Sequence, residues 1–256
     1  MKKNLQPILI ILFSSVVATA QQLPSWSSYY ETGFVWNPAL TGKARATETS
    51  IIHRQDWMGF EDAPKYTNLS FQFPFTRRYD PTVSSIGAFV ERDAVGPFEK
   101  INLAFTYSYR FKTQWFNNRD DALAIGILAN LGWYQFDLRQ ATAYDQAALS
   151  IDISEVSQRL SPNASLGFYY SSVVDKEVYV KSHYYAGLSI NQLAPTNQIK
   201  FSADNNSTNL TRLQAGLHST LNLGYRYLPR RPAHFVETNL MLIYAFERGI
   251  HGLISV

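Results

Sequence analysis

Residues 101–112 read Ile-Asn-Leu-Ala-Phe-Thr-Tyr-Ser-Tyr-Arg-Phe-Lys, six large apolar or aromatic side chains alternating with six small or polar ones. A period of two is the geometry of a strand, in which successive side chains point to opposite faces, and it is incompatible with the 3.6-residue period of a helix. One face of this segment is greasy and the other wet. The pattern returns in Thr67, Leu69, Phe71 and Phe73 against Asn68, Ser70 and Gln72, and in Leu221, Leu223, Tyr225 and Tyr227 against Asn222, Gly224 and Arg226. Val236 to Phe246 alternates as well, with a second face that is less polar.

Strands are predicted over 45–57, 65–73, 83–92, 99–112, 121–136, 163–172, 181–192, 210–227 and 234–246, with 250–256 as the start of a tenth. Several exceed an ordinary soluble strand and suit the roughly 9 to 11 residues that cross a bilayer at a tilt. Helical signals are sparse, and only Gln146 to Leu160 has a pattern that suits a short amphipathic helix. The long links, 137–162 and 193–209, follow the fifth and seventh strands, so in an up-and-down meander both fall at one end. That asymmetry is typical of outer-membrane barrels, with longer loops outside and short turns in the periplasm. Aromatics gather at strand ends, at Trp57, Trp115-Phe116, Trp133-Tyr134, Tyr169-Tyr170, Tyr184-Tyr185 and Tyr225 with Tyr227, where headgroups favour such side chains. The expected fold is all-β: a transmembrane, antiparallel, up-and-down outer-membrane β-barrel of about 9–10 strands. An odd count leaves an edge whose backbone groups lipid cannot satisfy, so the barrel is expected to be incomplete. A secreted β-sandwich is the soluble alternative.

The start of the chain is an address. Lys2 and Lys3 precede an apolar run from Ile8 to Val17, and Ala18-Thr19-Ala20 offers a signal-peptidase site before Gln21. The domain reading is therefore a signal peptide at 1–20, a periplasmic or barrel-entry segment at 21–44 and a partial barrel at 45–256. The chain has no cysteine, which removes disulfides and thiolate chemistry, and a formal charge of only +3 with no basic cluster argues against nucleic acid.

At the mature N-terminus particular residues carry a resemblance. Gln21-Gln22-Leu23-Pro24, Tyr29-Tyr30-Glu31-Thr32, Asn37-Pro38-Ala39-Leu40-Thr41-Gly42 and Arg54-Gln55-Asp56-Trp57-Met58-Gly59 look like the opening signature of the PorP/SprF family. Further similarity runs through Gly87 to Gly96, Leu166 to Tyr170 and Tyr185 to Ser189. The resemblance implies an outer-membrane barrel of the type IX secretion and gliding machinery. Its implied partners are the outer-membrane bilayer, the translocon, periplasmic ring or peptidoglycan-linked lipoproteins, and a large secreted surface protein as cargo that it helps to export or retain. It implies no enzyme activity and no cofactor. Family members continue through further strands after the region resembling Phe235 to Phe246.

Local chemistry gives each signature a structural reading. In Asn37-Pro38-Ala39-Leu40-Thr41-Gly42, Pro38 fixes φ and Gly42 permits a positive φ, which predicts a turn that starts the first strand. Trp57, behind Arg54, Gln55 and Asp56 and before Gly59, reads as an interface anchor. Recurring strand glycines, among them Gly87, Gly126, Gly132, Gly167, Gly187, Gly216 and Gly224, leave lumen space beside bulky neighbours or let a barrel bend. Arg77 and Arg78, with Arg230 and Arg231, fall on predicted periplasmic turns, where Arg77 and Arg78 are candidate contacts to a periplasmic protein. The 137–162 loop is a candidate extracellular cap.

Catalytic signals are lacking. His53, His183, His218, His234 and His251 show no metal-binding spacing, and no Gly-x-Ser-x-Gly elbow or phosphate-cradling loop occurs. Alternation sends His53 and Asp56 to opposite faces of a strand. The rival to a secretion role is a passive porin or hydrophobic-solute channel, with inward Arg110, Lys112 and Arg226 along a water path.

Overall fold

A computed structural model describes residues 32–60, 62–75, 83–113, 115, 121–137, 156–172, 182–194, 197–202, 210–214, 217–227, 236–245 and 249–255. A short helix, α1 (Gly33–Trp36), opens the described chain, followed by a 3-10 turn at Pro38–Leu40. The strands are β1 (Glu48–Gln55), β2 (Lys65–Phe75), β3 (Val83–Val95), β4 (Phe98–Lys112), β5 (Ala122–Asp137) and β6 (Val156–Ser171). They continue with β7 (Ser182–Asn191), β8 (Asn197–Ser202), β9 (Leu210–Gln214), β10 (His218–Tyr227), β11 (Val236–Ala245) and β12 (Gly249–Ser255).

Among the described residues ten strands form one antiparallel sheet in the order β1-β2-β3-β4-β5-β6-β7-β10-β11-β12, and β8 with β9 makes a separate hairpin inserted between β7 and β10. This is the predicted up-and-down meander. β3, β4 and β5 have 13, 15 and 16 residues, more than a tilted bilayer crossing requires. The sheet curls: Tyr66 on β2 and Met241 and Ile243 on β11 meet in one cluster around Trp36. β1 and β12 are its edges and pair with no further strand among the described residues.

The faces are inverted relative to a soluble protein. Along β2, Tyr66, Asn68, Ser70 and Gln72 are buried while Leu69, Phe71, Phe73 and Phe75 are exposed. Along β4, Asn102, Thr106, Ser108 and Arg110 are buried while Leu103, Phe105, Tyr107 and Tyr109 stand outside, Phe105 with 60% of its surface accessible. An apolar outer band around a polar interior is stable only where the outside is hydrocarbon. The two stacked apolar sheets of a sandwich are not what this chain forms.

Register names the two ends. Lys65, Ala94, Glu99 and Gln135 align at one, and Phe75, Ser84, Lys112, Ala122 and Ser171 at the other. Both long connections, after β5 and after β7, leave from the Lys65 end, as the meander argument requires; so do the short turn at 96–97 and the link from Ala245 to Gly249. Exposed aromatics ring the Lys112 end: Phe75, Tyr107, Tyr109, Trp115, Tyr184, Tyr225 and Tyr227. Trp115 stacks on Tyr170 at 6.1 Å, and Asp121 fixes the pair by accepting from the Trp115 amide at 2.9 Å and the Tyr170 hydroxyl at 3.2 Å. The aromatic doublets split. Tyr134, Tyr169 and Tyr185 are buried on the inner face, so only their sequence neighbours Trp133, Tyr170 and Tyr184 take the headgroup-facing positions predicted for both.

Three element boundaries differ from expectation. Residues 156–160 of the predicted helix belong to β6, because pairing with β5 from Asp137 to Trp133 supplies backbone partners that outweigh a weak helical pattern; residues 146–155 lie outside the described residues. The 210–227 strand is two strands in different sheets, β9 turning back on β8 while β10 joins β7. Pro162, read as part of a loop, sits within β6, where pairing to β7 has not yet begun and its missing N–H leaves no ladder bond unmade.

A lumenal plug as the candidate functional site

Residues 32–42 fill the inside of the curled sheet. Asn37 takes an extended backbone, and its side-chain oxygen accepts from the Ala39 amide at 3.0 Å, capping the turn that Pro38 begins. Proline suits that first position, since its fixed φ is right for the turn and its absent N–H would be unpaired there anyway. The Thr41 hydroxyl donates to the Pro38 carbonyl at 2.8 Å and closes the turn. Gly42, at φ +68, then redirects the chain toward β1, and a β carbon there would overlap Ser85. The expected turn at Asn37–Gly42 therefore exists, but it does not start the first strand: it is lodged in the lumen, and β1 begins only at Glu48.

The wall is shaped to receive it. A β carbon at Gly126 on β5 would overlap the Pro38 carbonyl, and one at Gly167 on β6 would overlap the Asn37 side-chain oxygen. A β carbon at Gly187 on β7 would lie 3.0 Å from the Asn37 side-chain nitrogen. Gly126, Gly167 and Gly187 thus leave lumen space, as expected, and their occupant is the Asn-Pro-Ala turn; Gly132 and Gly224 make room for Tyr134 and Tyr185, Gly87 faces Thr106 and Thr41, and Gly216 lies outside the described residues.

Polar wall residues then satisfy the plug's backbone. The Asn37 amide donates to the Phe168 carbonyl at 3.1 Å, Ser108 donates to the Ala39 carbonyl at 3.3 Å, and Ser189 donates to the Trp36 carbonyl at 2.7 Å. Ser189 is itself hydrogen-bonded to Thr220 and receives the Asn191 amide at 3.0 Å. The Gly42 amide donates to Gln72 at 2.8 Å, and the Thr41 and Thr106 hydroxyls are 3.0 Å apart. Apolar packing completes the seat: Phe34 meets Phe89 edge to face at 5.6 Å, and Leu40 joins Ala104, Ala124 and Leu128. With Trp36 against β2 and β11, the plug reaches the wall on β2 to β7 and again on β11. The Trp36 and Ala39 carbonyls and the Ala39 and Gly42 amides of the plug are thereby paired, as a low-dielectric interior requires.

Toward the Lys65 end the lumen holds a separate network. Glu91 receives Lys100 at 3.0 Å, Asn102 at 3.2 Å and the Tyr66 hydroxyl at 3.4 Å, and Asn130 donates to Asn102 at 2.9 Å. Sequence reasoning missed this cluster, since Glu91, Lys100 and Asn130 lie on three strands and are joined only by register. Of the cations expected along a water path, Arg110 is indeed buried on the inner face, two residues from the Ser108 that bonds the plug, while Arg226 is half-buried and Lys112 is exposed.

The second signature stays apart from the first. Arg54 and Asp56 form an exposed ion pair at 2.8 Å. Gln55 ends β1, Trp57 follows in the loop at φ +50 with 73% of its surface exposed, and Gly59 has φ +103. His53 bonds Thr67 at 2.9 Å while Asp56 bonds Arg54, so the two acid–base candidates go separate ways. Arg77 and Arg78 lie outside the described residues, as do 1–31.

An all-β sheet, apolar outside, polar inside and stoppered by its own N-terminal segment, defines a membrane protein of the plugged barrel-like class. A family model described as type IX secretion system membrane protein PorP/SprF matches residues 18–248. The chain belongs to the PorP/SprF family, a family of secretion-system membrane components and not of enzymes. Comparison with curated proteins and with solved structures finds no match.

Proposed function

We propose that this protein is an outer-membrane partner of the type IX secretion and gliding machinery, and that it assists export or surface retention of a large secreted protein without itself serving as the conduit. The observation that carries this reading is the plug: the Asn-Pro-Ala turn lies in glycine wells with its backbone groups bonded to the wall, so the lumen is occupied where a polypeptide or solute would pass. Family membership supplies the machinery, and the inverted faces supply the bilayer. The Lys65 end, bearing the long connections, is assigned to the cell exterior and the Lys112 end to the periplasm. Signal-peptide export, the translocon, periplasmic ring or peptidoglycan-linked lipoproteins and a surface cargo are parts of the same proposal. Trp57 and its neighbours at the outer rim and Arg77 and Arg78 at the periplasmic turns are the proposed contact points.

Deleting the gene tests it. The expected result is loss of one or a few secreted surface proteins while uptake of small solutes is unchanged. Altered solute uptake with normal secretion would favour the porin reading and remove this one.

A further inference from the structure

The link between β1 and β2 is a held loop with an apolar tip. The Asp56 amide donates to the Pro64 carbonyl at 3.0 Å, the Phe60 amide to the Trp57 carbonyl at 3.2 Å, and the Gly96 amide of the β3–β4 turn to the Asp62 carbonyl at 3.2 Å. Trp57 and Asp62 take φ of +50 and +59, a region that bulky L residues rarely enter and that persists where the surroundings enforce it, often at binding sites. Trp57, Met58 and Phe60 nevertheless keep 73%, 80% and 76% of their surface exposed. Hydrocarbon is not what covers them. On the outer face Lys65 stands opposite Ala94, Ala94 opposite Glu99 and Glu99 opposite Gln135, and Glu99 pairs with Arg92 at 2.6 Å. This polar belt lies between the loop and the nearest row of the apolar band, Leu69, Val90, Leu103 and Leu131. A cleft of about 260 Å³ beside the loop is lined by Asp62, Lys65, Arg92, Glu99 and Gln135, groups of both signs.

Charge decides between lipid and protein as the cover. Residues 56–64 carry three carboxylates, Asp56, Glu61 and Asp62, and no cation, with Arg54 paired to Asp56. Phosphate-bearing headgroups repel a loop of that sign, whereas Trp, Met and Phe inside a charged rim have the make-up of a protein interface. We infer that Trp57, Met58 and Phe60 dock into an apolar socket, rimmed by basic residues, on a polypeptide partner beyond the headgroups. The backbone is already fixed, so little conformational freedom is lost on binding. That the partner belongs to the secretion machinery or its cargo rests on the secretion reading above; the apolar and acidic chemistry rests on the loop alone.

Two measurements test it. In protein reconstituted into vesicles, the fluorescence that Trp57→Phe removes is expected to be quenched by acrylamide in the water and not by lipids brominated on their acyl chains. Quenching by the brominated lipids would make Trp57 a membrane anchor and overturn the proposal. In growing cells, a benzophenone amino acid in place of Met58 is expected to crosslink to one discrete polypeptide on illumination, while the same probe in place of Ile51, equally exposed but within the apolar band, is not. Adding Trp57→Ala is expected to lower the yield at least about tenfold, and Asp62→Asn, which tolerates the same backbone, about threefold. Unchanged heat-modifiable migration shows each variant folded. No polypeptide adduct at Met58, an equal adduct at Ile51, or yields indifferent to Trp57→Ala or Asp62→Asn overturn the proposal. Any of these leaves the deletion phenotype, and so the secretion reading, standing.

Discussion

The side-chain oxygen of Asn37 occupies the space that Gly167 leaves by having no β carbon, while the nitrogen of the same amide bonds the Phe168 carbonyl at 3.1 Å. One asparagine thus joins the plug to the wall by shape and by hydrogen bond together. Asn37→Ala removes the acceptor for Ala39 and the donor for Phe168, both deep in the lumen. The expected loss is about 1–3 kcal/mol of stability, read by denaturant unfolding in detergent.

Filling the wells is expected to unseat the plug without touching it. Gly126→Val places branched carbons where the Pro38 carbonyl lies, and the wall strand cannot retreat because β4 and β6 pin it on both sides. Single-channel recording in planar bilayers is expected to show conductance for this variant and little for the wild type. A silent variant with intact folding would show that the lumen is sealed by something other than the plug.

Because the chain lacks cysteine, a single disulfide can be introduced without competing thiols. The Thr41 and Thr106 hydroxyls are 3.0 Å apart, so Thr41→Cys with Thr106→Cys is expected to crosslink the plug to β4 in an oxidising compartment. A non-reducing gel shift reports the bond. Secretion is expected to persist with the plug locked; loss of secretion that reductant restores would show that the plug must leave and that the conduit reading is correct after all.

The two faces of β4 predict opposite tolerance. Phe105→Arg puts a charge into the outer apolar band and is expected to cost about 2–4 kcal/mol, as for cations near a bilayer midplane. Ser108→Ala, on the inner face, removes one bond to Ala39 and costs about 1 kcal/mol. Folding yields into lipid vesicles under a urea series rank the two.

Glu91 and Lys100 are expected to behave as a unit. Removing either alone strands its partner in the lumen, so a double-mutant cycle with Glu91→Gln and Lys100→Met is expected to give a coupling of about 1–3 kcal/mol. Additive losses would mean that the pair is solvated and contributes little.

The strand pattern was legible in the residues because alternation is a local property: Ile101 to Lys112 can present one apolar and one polar face only as a strand. The meander and the side on which the long connections fall followed from strand order alone. Alternation alone did not fix which face lay outside, since a sandwich alternates too; strand length, aromatic placement and loop asymmetry favoured an apolar exterior, and the structure places the apolar face outside. The sequence also marked Asn37 to Gly42 as a turn, because proline and glycine constrain the backbone wherever they occur.

Where that turn goes was decided by the tertiary structure. Nothing near Pro38 in the chain indicates that its carbonyl rests on Gly126 or that Asn37 reaches Phe168, because those contacts exist only after six strands have paired and curled. The same holds for the Glu91 network and for Arg110, whose burial depends on what the neighbouring strands place beside it. Local periodicity determines which way a side chain points. Only the curling of the sheet around the plug determines what it meets, since burial and desolvation arise from groups distant in sequence.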